Sequence, residues 1–347
     1  MKKIRFGITG SGYMGRTHAE AIKRLGPRAE LVAIWGGSRA PALAKRYGVV
    51  SETHLGDLIA RSDIDAIVVT TPHACHVAEG IQALESGKHI MVEKPLATSV
   101  EDCDRLVRAA DHRGLVLAVA YVQRFRRNCI RARELIAADA IGRVLTIQAT
   151  MGFDLASFKS GGFGGTWQWW EDPSSIGYLI NSLPHAIDLI RWFTDARITS
   201  ISAICHTFIP NQTTEDTTMA LAGLSNGTIC SLFSTRAFPA PAFPGEATRL
   251  RLMGSTGLMD LDPYGDLRLS NEQGWKTVST QPAVGYDDAD AAFGDVRMQA
   301  FTDQMQSFID GIEGKPMIAG SGSDGRAGIA ACSAMLASSQ DRGWVDL

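Results

Sequence analysis

The chain opens on short apolar runs that alternate with stretches of helical spacing. Ile4 to Thr9 (IRFGIT) reads as a strand, Tyr13 to Leu25 as a helix, Glu30 to Trp35 as a strand and Ala40 to Tyr47 as a helix. Ile64 to Thr71 is a nearly continuous apolar run stopped by Pro72, as expected of a strand buried on both faces. Helical spacing returns at Val77 to Ser86 and Val100 to His112, with strand-like runs at His89 to Val92 and Leu115 to Tyr121. This alternation predicts a parallel sheet with helices on both faces and ligands at its carboxyl edge. From Phe125 the pattern changes. One helical stretch through Asp139 precedes strands at Arg143 to Met151, Ile198 to Phe208, Thr217 to Leu224 and Gly227 to Ser234, the last two joined by the turn residues Ser225-Asn226-Gly227. The fold expected is α/β: a doubly wound Rossmann domain over residues 1–124, then an α/β domain with a large open, mostly antiparallel sheet over residues 125–347.

Between the first strand and the first helix lie Gly10, Gly12 and Gly15. The first allows a tight turn, the second lets backbone approach a pyrophosphate, and the third lets helix and strand pack closely. The N–H groups of the opening helical residues, Tyr13 and Met14 among them, then face the anion. A GxGxxG pattern alone is weak; strand before and helix after strengthen it.

Composition narrows the function classes. The chain has 347 residues, 34 basic against 37 acidic, and a formal charge of -3. Charges are interleaved, so no field gathers nucleic acid or anionic lipid. No run reaches the ~20 apolar residues that span a bilayer, and a cytoplasmic enzyme is expected. Six scattered cysteines without CxxC spacing indicate neither a zinc cluster nor a disulfide framework, and no metal is expected.

NAD specificity usually shows as a carboxylate ending the second strand. Here the strand runs into Gly36-Gly37-Ser38-Arg39. A hydroxyl and a guanidinium suit a 2′-phosphate, so NADP is the preferred cofactor, with NAD possible. The same two residues also suit a helix cap and a solvated surface charge.

Three further segments carry a resemblance: Thr70-Thr71-Pro72-His73-Ala74-Cys75-His76, then Gly87 to Pro95 with its Glu93-Lys94-Pro95, and Asn181-Ser182-Leu183-Pro184-His185-Ala186-Ile187-Asp188. Together with the glycine loop they resemble the Gfo/Idh/MocA oxidoreductase family along the whole chain. The resemblance implies NAD(P)-linked hydride transfer at a hydroxyl or ketone of a cyclic polyol, sugar or related ring. It implies that Lys94 lies between nicotinamide and substrate and that His185 is the general acid/base, a task suited to an imidazole. Glu93 is expected to position Lys94 or the nicotinamide ribose. Thr71, Pro72 and His76 are expected to line the cofactor cleft; the family often places a turn at Pro95, and the peptide before it is a candidate cis bond because proline is nearly the only residue that allows one. Arg124 is expected either to reach substrate or to form an interdomain ion pair.

One position departs from the family pattern. Sugar and inositol members usually carry aspartate four residues before the histidine, where this chain has Asn181, which keeps the hydrogen-bonding shape without the charge. Pro184 predicts a helix beginning there, with Ser182 near its cap. On that helix Asp188 is expected to pair with Arg191 in preference to orienting His185. Trp167, beside the glycine run Gly161 to Gly165, or its neighbour Gln168, is a candidate substrate contact. The family also contains non-catalytic dinucleotide sensors and NAD-dependent glycosidases, which remain alternatives, and it suggests homodimers or homotetramers packed through the open sheet.

Overall fold

The computed structural model describes residues 3–154, 177–239, 243, 245, 247–282 and 291–347. Their contacts divide into two compact units. The first begins with strands β1 (Ile4–Thr9), β2 (Ala29–Trp35), β3 (Val50–Glu52), β4 (Ala66–Val69), β5 (His89–Val92) and β6 (Leu117–Val119). Between them run helices α1 (Tyr13–Arg24), α2 (Ala40–Tyr47), α3 (Leu55–Ala60), α4 (His76–Glu85) and α5 (Val100–Arg113). These strands pair in parallel. All four residues of β4 are fully buried, as a central strand covered on both faces requires. Short elements were missed in the sequence: β3 and α3 carry too few residues for either periodicity to register.

The second unit begins with α6 (Arg127–Ala137) and β7 (Val144–Asp154), then α7 (Leu179–Thr194). A run of strands follows: β8 (Ile198–His206), β9 (Thr217–Leu224), β10 (Ile229–Phe238), β11 (Arg249–Gly254), β12 (Leu258–Leu261), β13 (Asp266–Asn271) and β14 (Gly274–Thr280). Every described pairing of this sheet is antiparallel except β7 with β10. The expected turn at Asn226-Gly227 joins β9 to β10, with Gly227 at φ +85°. Burial alternates along β9: Thr218, Ala220, Ala222 and Leu224 point inward, Met219 and Leu221 outward. That alternation marks a sheet covered on one face only.

The chain then returns to the first unit, so a single cut at residue 124 does not describe it. Helix α8 (Asp295–Ile312) packs along α1, and β15 (Gly320–Ser321) pairs antiparallel with β6, giving the first sheet the order β15-β6-β5-β4-β1-β2-β3. Burial drives the return: Met305 and Phe308 of α8 are fully covered, Phe308 lying 6.3 Å from the Phe6 ring of β1. Nothing in a helix's own periodicity says which domain its apolar face will meet. Helix α9 (Gly322–Asp341) and β16 (Val345–Asp346), which pairs with β8, complete the chain.

Candidate active site

The glycine loop divides by physical role. Gly10 has φ +91°, donates its N–H to Trp35 O at 2.7 Å, and has no room for a Cβ, which would meet Thr70 O. A Cβ on Gly15 would fall 2.2 Å from Gly10 O. The protein itself demands both glycines. Gly12 differs, since among the described residues the one atom within 4 Å of its Cβ position is Arg39 Nη2, at an ordinary contact distance of 3.5 Å. The described residues therefore leave open the side of the loop that Gly12 presents. Gly12 is also the N-cap of α1, whose first turn has no side-chain cap and no acidic residue. An uncapped helix N-terminus with the positive end of its dipole suits a pyrophosphate, and the residues present fit a dinucleotide.

Around this loop, Ser11 Oγ donates to Gly36 O at 2.6 Å, tying it to the end of β2. Ser38 and Arg39 are exposed there, and Ser38 does not cap α2, whose N-cap is Arg39. Met14 is partly exposed, whereas the Tyr13 ring packs against Phe293, with the Arg297 guanidinium 4.8 Å from its centre.

The ends of β4 and β5 carry a buried polar network. Glu79 Oε2 accepts hydrogen bonds from Thr9 Oγ1 at 2.6 Å and Thr71 Oγ1 at 2.9 Å, so the Thr71 hydroxyl serves this loop. Burial pushes the Glu79 carboxyl up, and the two hydroxyls oppose it. His76 is fully buried, with Nδ1 2.9 Å from Pro95 O and Nε2 2.9 Å from Thr71 O. The ring thus bridges the two strand-end loops, its one N–H in the neutral form donating to one of the two carbonyls. Burial pushes its imidazole down, against the pull of those two carbonyls. Pro72 is exposed, and the Lys94-Pro95 peptide is cis.

Lys94 follows β5 at the carboxyl edge of the sheet. Loss of water around the ammonium pulls its pKa down to about 8, and the Glu93 carboxylate opposes that shift. Glu93 Oε1 lies 2.7 Å from Nε2 of the fully buried His18, and its Oε2 accepts the Lys94 N–H at 3.2 Å. His18, Glu79 and Thr9 were missed in the sequence. His18 sits three residues past Gly15 on α1, and nothing local separates it from an ordinary core histidine.

In the second unit, His185 and Asn181 lie one turn apart on α7. From Gly177 to Ile190 every other residue is buried, so these two form the one partly exposed face of that stretch. The helix does not begin at Pro184 as expected. It begins at Leu179, with Pro184 inside it and Tyr178, not Ser182, at its N-cap. An interior proline costs ~3 kcal/mol, and it is offset by the packing of Leu179, Ile180, Leu183, Ile187, Leu189 and Ile190, all buried. The start is fixed from a distance: Glu215 Oε1 accepts the Leu179 N–H at 2.6 Å. Burial pushes the Glu215 carboxyl up, and its backbone donors pull it back. Ser182 Oγ instead lies 2.5 Å from Ser234 Oγ.

Asp188, expected beside Arg191, pairs with Arg124. Arg124 Nε donates to Oδ2 at 2.8 Å and Nη2 to Oδ1 at 2.6 Å, with side chains 7% and 1% exposed. A carboxylate on the buried face of a helix needs an equally buried cation. Arg124 therefore anchors α7 by an ion pair inside its own unit, where the sequence leaves open a substrate contact or an ion pair between domains. Trp167 and Gln168 lie outside the described residues. Among those described, no helix is long and apolar enough to cross a membrane.

Comparison with known proteins agrees with this division. Residues 4–121 match the family described as "Oxidoreductase family, NAD-binding Rossmann fold", and residues 129–260 match "GFO/IDH/MocA C-terminal domain". Inositol 2-dehydrogenase 3 of Saccharopolyspora erythraea is 30% identical over 204 residues, covering 58% of this chain and 56% of that protein. The 1,5-anhydro-D-fructose reductase of Ensifer adhaerens is 27% identical over 295 residues, 83% of this chain and 86% of that one. Among solved structures, a levoglucosan dehydrogenase in complex with NADH and L-sorbose superposes with a TM-score of 0.87 at 24% identity, over 100% of this chain and 99% of that chain.

Proposed function

We propose that this chain, which belongs to the Gfo/Idh/MocA oxidoreductase family, transfers a hydride between a nicotinamide dinucleotide and a carbon bearing a hydroxyl or ketone on a cyclic polyol, sugar or related ring. The observation that carries the reading is Lys94, half-buried with its ammonium partly stripped of water, at the carboxyl edge of a parallel sheet whose glycine loop fits a pyrophosphate. Bound dinucleotide supplies the hydride acceptor. Lys94, as an ammonium, holds the substrate oxygen and stabilises the negative charge that grows there. His185 takes the hydroxyl proton in oxidation and returns it in reduction. Asn181, one turn back on the same face, offers an amide to the ring or to a substrate hydroxyl. The two relatives named above as dehydrogenase and reductase support a ring substrate with a secondary hydroxyl or ketone.

Turnover on a panel of inositols, anhydrosugars and their ketones, with NAD or NADP, tests this directly. At least one pair should turn over, and Lys94→Ala should lower kcat by about 10²- to 10⁴-fold with dinucleotide binding retained. Tight dinucleotide binding without turnover on any ring would leave a sensor as the better reading.

NADP is the cofactor we favour. No carboxylate stands at residues 36–39, and the Arg39 guanidinium lies against the glycine loop, an arrangement that supports a cation partner for a 2′-phosphate. Arg39→Ala should lower the kcat/KM ratio of NADP to NAD by about tenfold, a loss of about 1.4 kcal/mol; an unchanged ratio removes the preference. The outward face of the second sheet, where β-pairing sets Ile204 beside Met219 and Met219 beside Phe233, supports a second copy of this chain as its cover. Sedimentation equilibrium reads that proposal, and a monomer at micromolar concentration ends it.

A further inference from the structure

His18 has no place in the chemistry above, yet it is fully buried on the helix that follows the glycine loop. Its Nε2 lies 2.7 Å from Glu93 Oε1, and its ring stands edge-on to Phe301 of α8 with centres 6.0 Å apart. Its Nδ1 meets no polar atom among the described residues. That pattern assigns the proton to Nε2, donating to the carboxylate, because a proton on Nδ1 would be buried without an acceptor. The other carboxylate oxygen of Glu93 faces the Lys94 N–H. Glu93 is thus gripped from both sides, by a helix that answers to the dinucleotide loop and by the backbone of the lysine.

We propose that His18 is a positioning residue for the hydride-transfer site, fixing the Glu93 carboxylate so that its charge stays beside Lys94. The inference rests on the function proposed above for Lys94. It deepens that function by linking the lysine to α1, the helix that starts at the glycine loop. Among the described residues, Arg297 of α8 is the buried charge near this set, donating to Thr17 Oγ1 at 3.1 Å and lying 4.6 Å from the centre of the Phe301 ring. His73 and His76 both feel the Lys94 charge, and His76 also feels Glu93. From α8 the ring of His18 meets the apolar Phe301. The sign of the effect follows from charge. Glu93 favours the Lys94 ammonium against the desolvation that disfavours it. A Glu93 side chain released from His18 no longer keeps its charge fixed beside the ammonium, so its opposition to desolvation weakens. The lysine then loses its proton at lower pH.

The test uses the full chain with dinucleotide bound and two readouts. One is the basic limb of the kcat/KM profile; the other is the pH titration of the Lys94 side chain by carbon-13 NMR on lysine-labelled protein, identified by its absence in Lys94→Arg. His18→Leu should move both to lower pH by about one unit. His18→Gln, whose amide N–H reaches the same carboxylate, should restore both. Glu93→Gln should reproduce the shift, and adding His18→Leu to it should move the titration no further. A His18→Leu protein that loses activity with the Lys94 titration unmoved makes His18 a packing residue and overturns the proposal. Should that variant fail to fold, a Glu93→Gln protein with an unmoved Lys94 overturns it equally. If no ring substrate turns over in any variant, the enzymatic reading fails by itself, while the NMR titration still decides the link.

Discussion

Helices α1 and α7 begin alike and end up opposite. Neither has a capping side chain from its own N-cap residue, Gly12 in one and Tyr178 in the other. At α7 the gap is closed by the chain itself, since the Glu215 carboxylate arrives from 36 residues away to accept the Leu179 N–H. At α1 the N-cap glycine has no side chain to offer, and among the described residues the Cβ position of Gly12 meets nothing closer than the tip of Arg39. A helix start that the protein caps is structure; one that it leaves uncapped and sterically open is a place for an anion. The functional faces differ in the same sense. α1 offers its end, whereas α7 has its end closed and offers a side, the stripe of Asn181 and His185.

Breaking α7's anchorage should produce the largest stability change. Arg124→Met leaves Asp188 buried without its bidentate partner, and a loss of about 3–5 kcal/mol should appear as a lowered denaturant midpoint. Pairing it with Asp188→Leu should recover most of that, because the uncompensated charge is then gone. An undiminished midpoint in Arg124→Met would mean that α7 is held by its apolar face alone. The glycine loop sharpens the contrast next. Gly15→Ala drives a Cβ into backbone and should cost about 3 kcal/mol or more. Gly12→Ala should cost about 1 kcal/mol, the ordinary penalty for alanine at an N-cap, yet weaken dinucleotide binding at least tenfold in a fluorescence titration. Equal stability losses at the two positions would remove the argument that Gly12 is kept for a ligand. The smallest effect belongs to the closed helix start. Glu215→Ala should destabilise by about 1–2 kcal/mol, measured by thermal unfolding, with dinucleotide affinity unchanged, since that cap serves α7 and no anion.

Much of the first domain could be read along the chain because its signals are local. β1, the glycine loop and α1 occupy consecutive residues, and the expected α2 coincides with Ala40–Tyr47. The turn at Asn226-Gly227 is legible for the same reason. What failed depended on partners far away in sequence. Pro184 argued for a helix start because proline breaks helices in isolation; in the folded chain a packed apolar face and Glu215 carry the helix past it. Asp188 argued for Arg191 because three residues separate them, but a buried carboxylate is matched by a buried guanidinium, and Arg124 supplies it. Local sequence gave no sign that His76 would bridge two loops through Thr71 O and Pro95 O. Nor did it single out His18, which lies 2.7 Å from the carboxylate beside Lys94.

By itself, then, the order of residues determined the alternation of strand and helix, the glycine turn and the residue types that suit nicotinamide chemistry. Each of these is a matter of backbone dihedrals, side-chain periodicity or intrinsic reactivity, and those act between neighbours. Only the tertiary structure decided where α7 starts, which cation Asp188 keeps, that α8 and β15 return to the first sheet, and which polar groups surround Lys94. Burial decides these matters, because removing charges and N–H groups from water forces each to find a partner in space, wherever along the chain that partner lies.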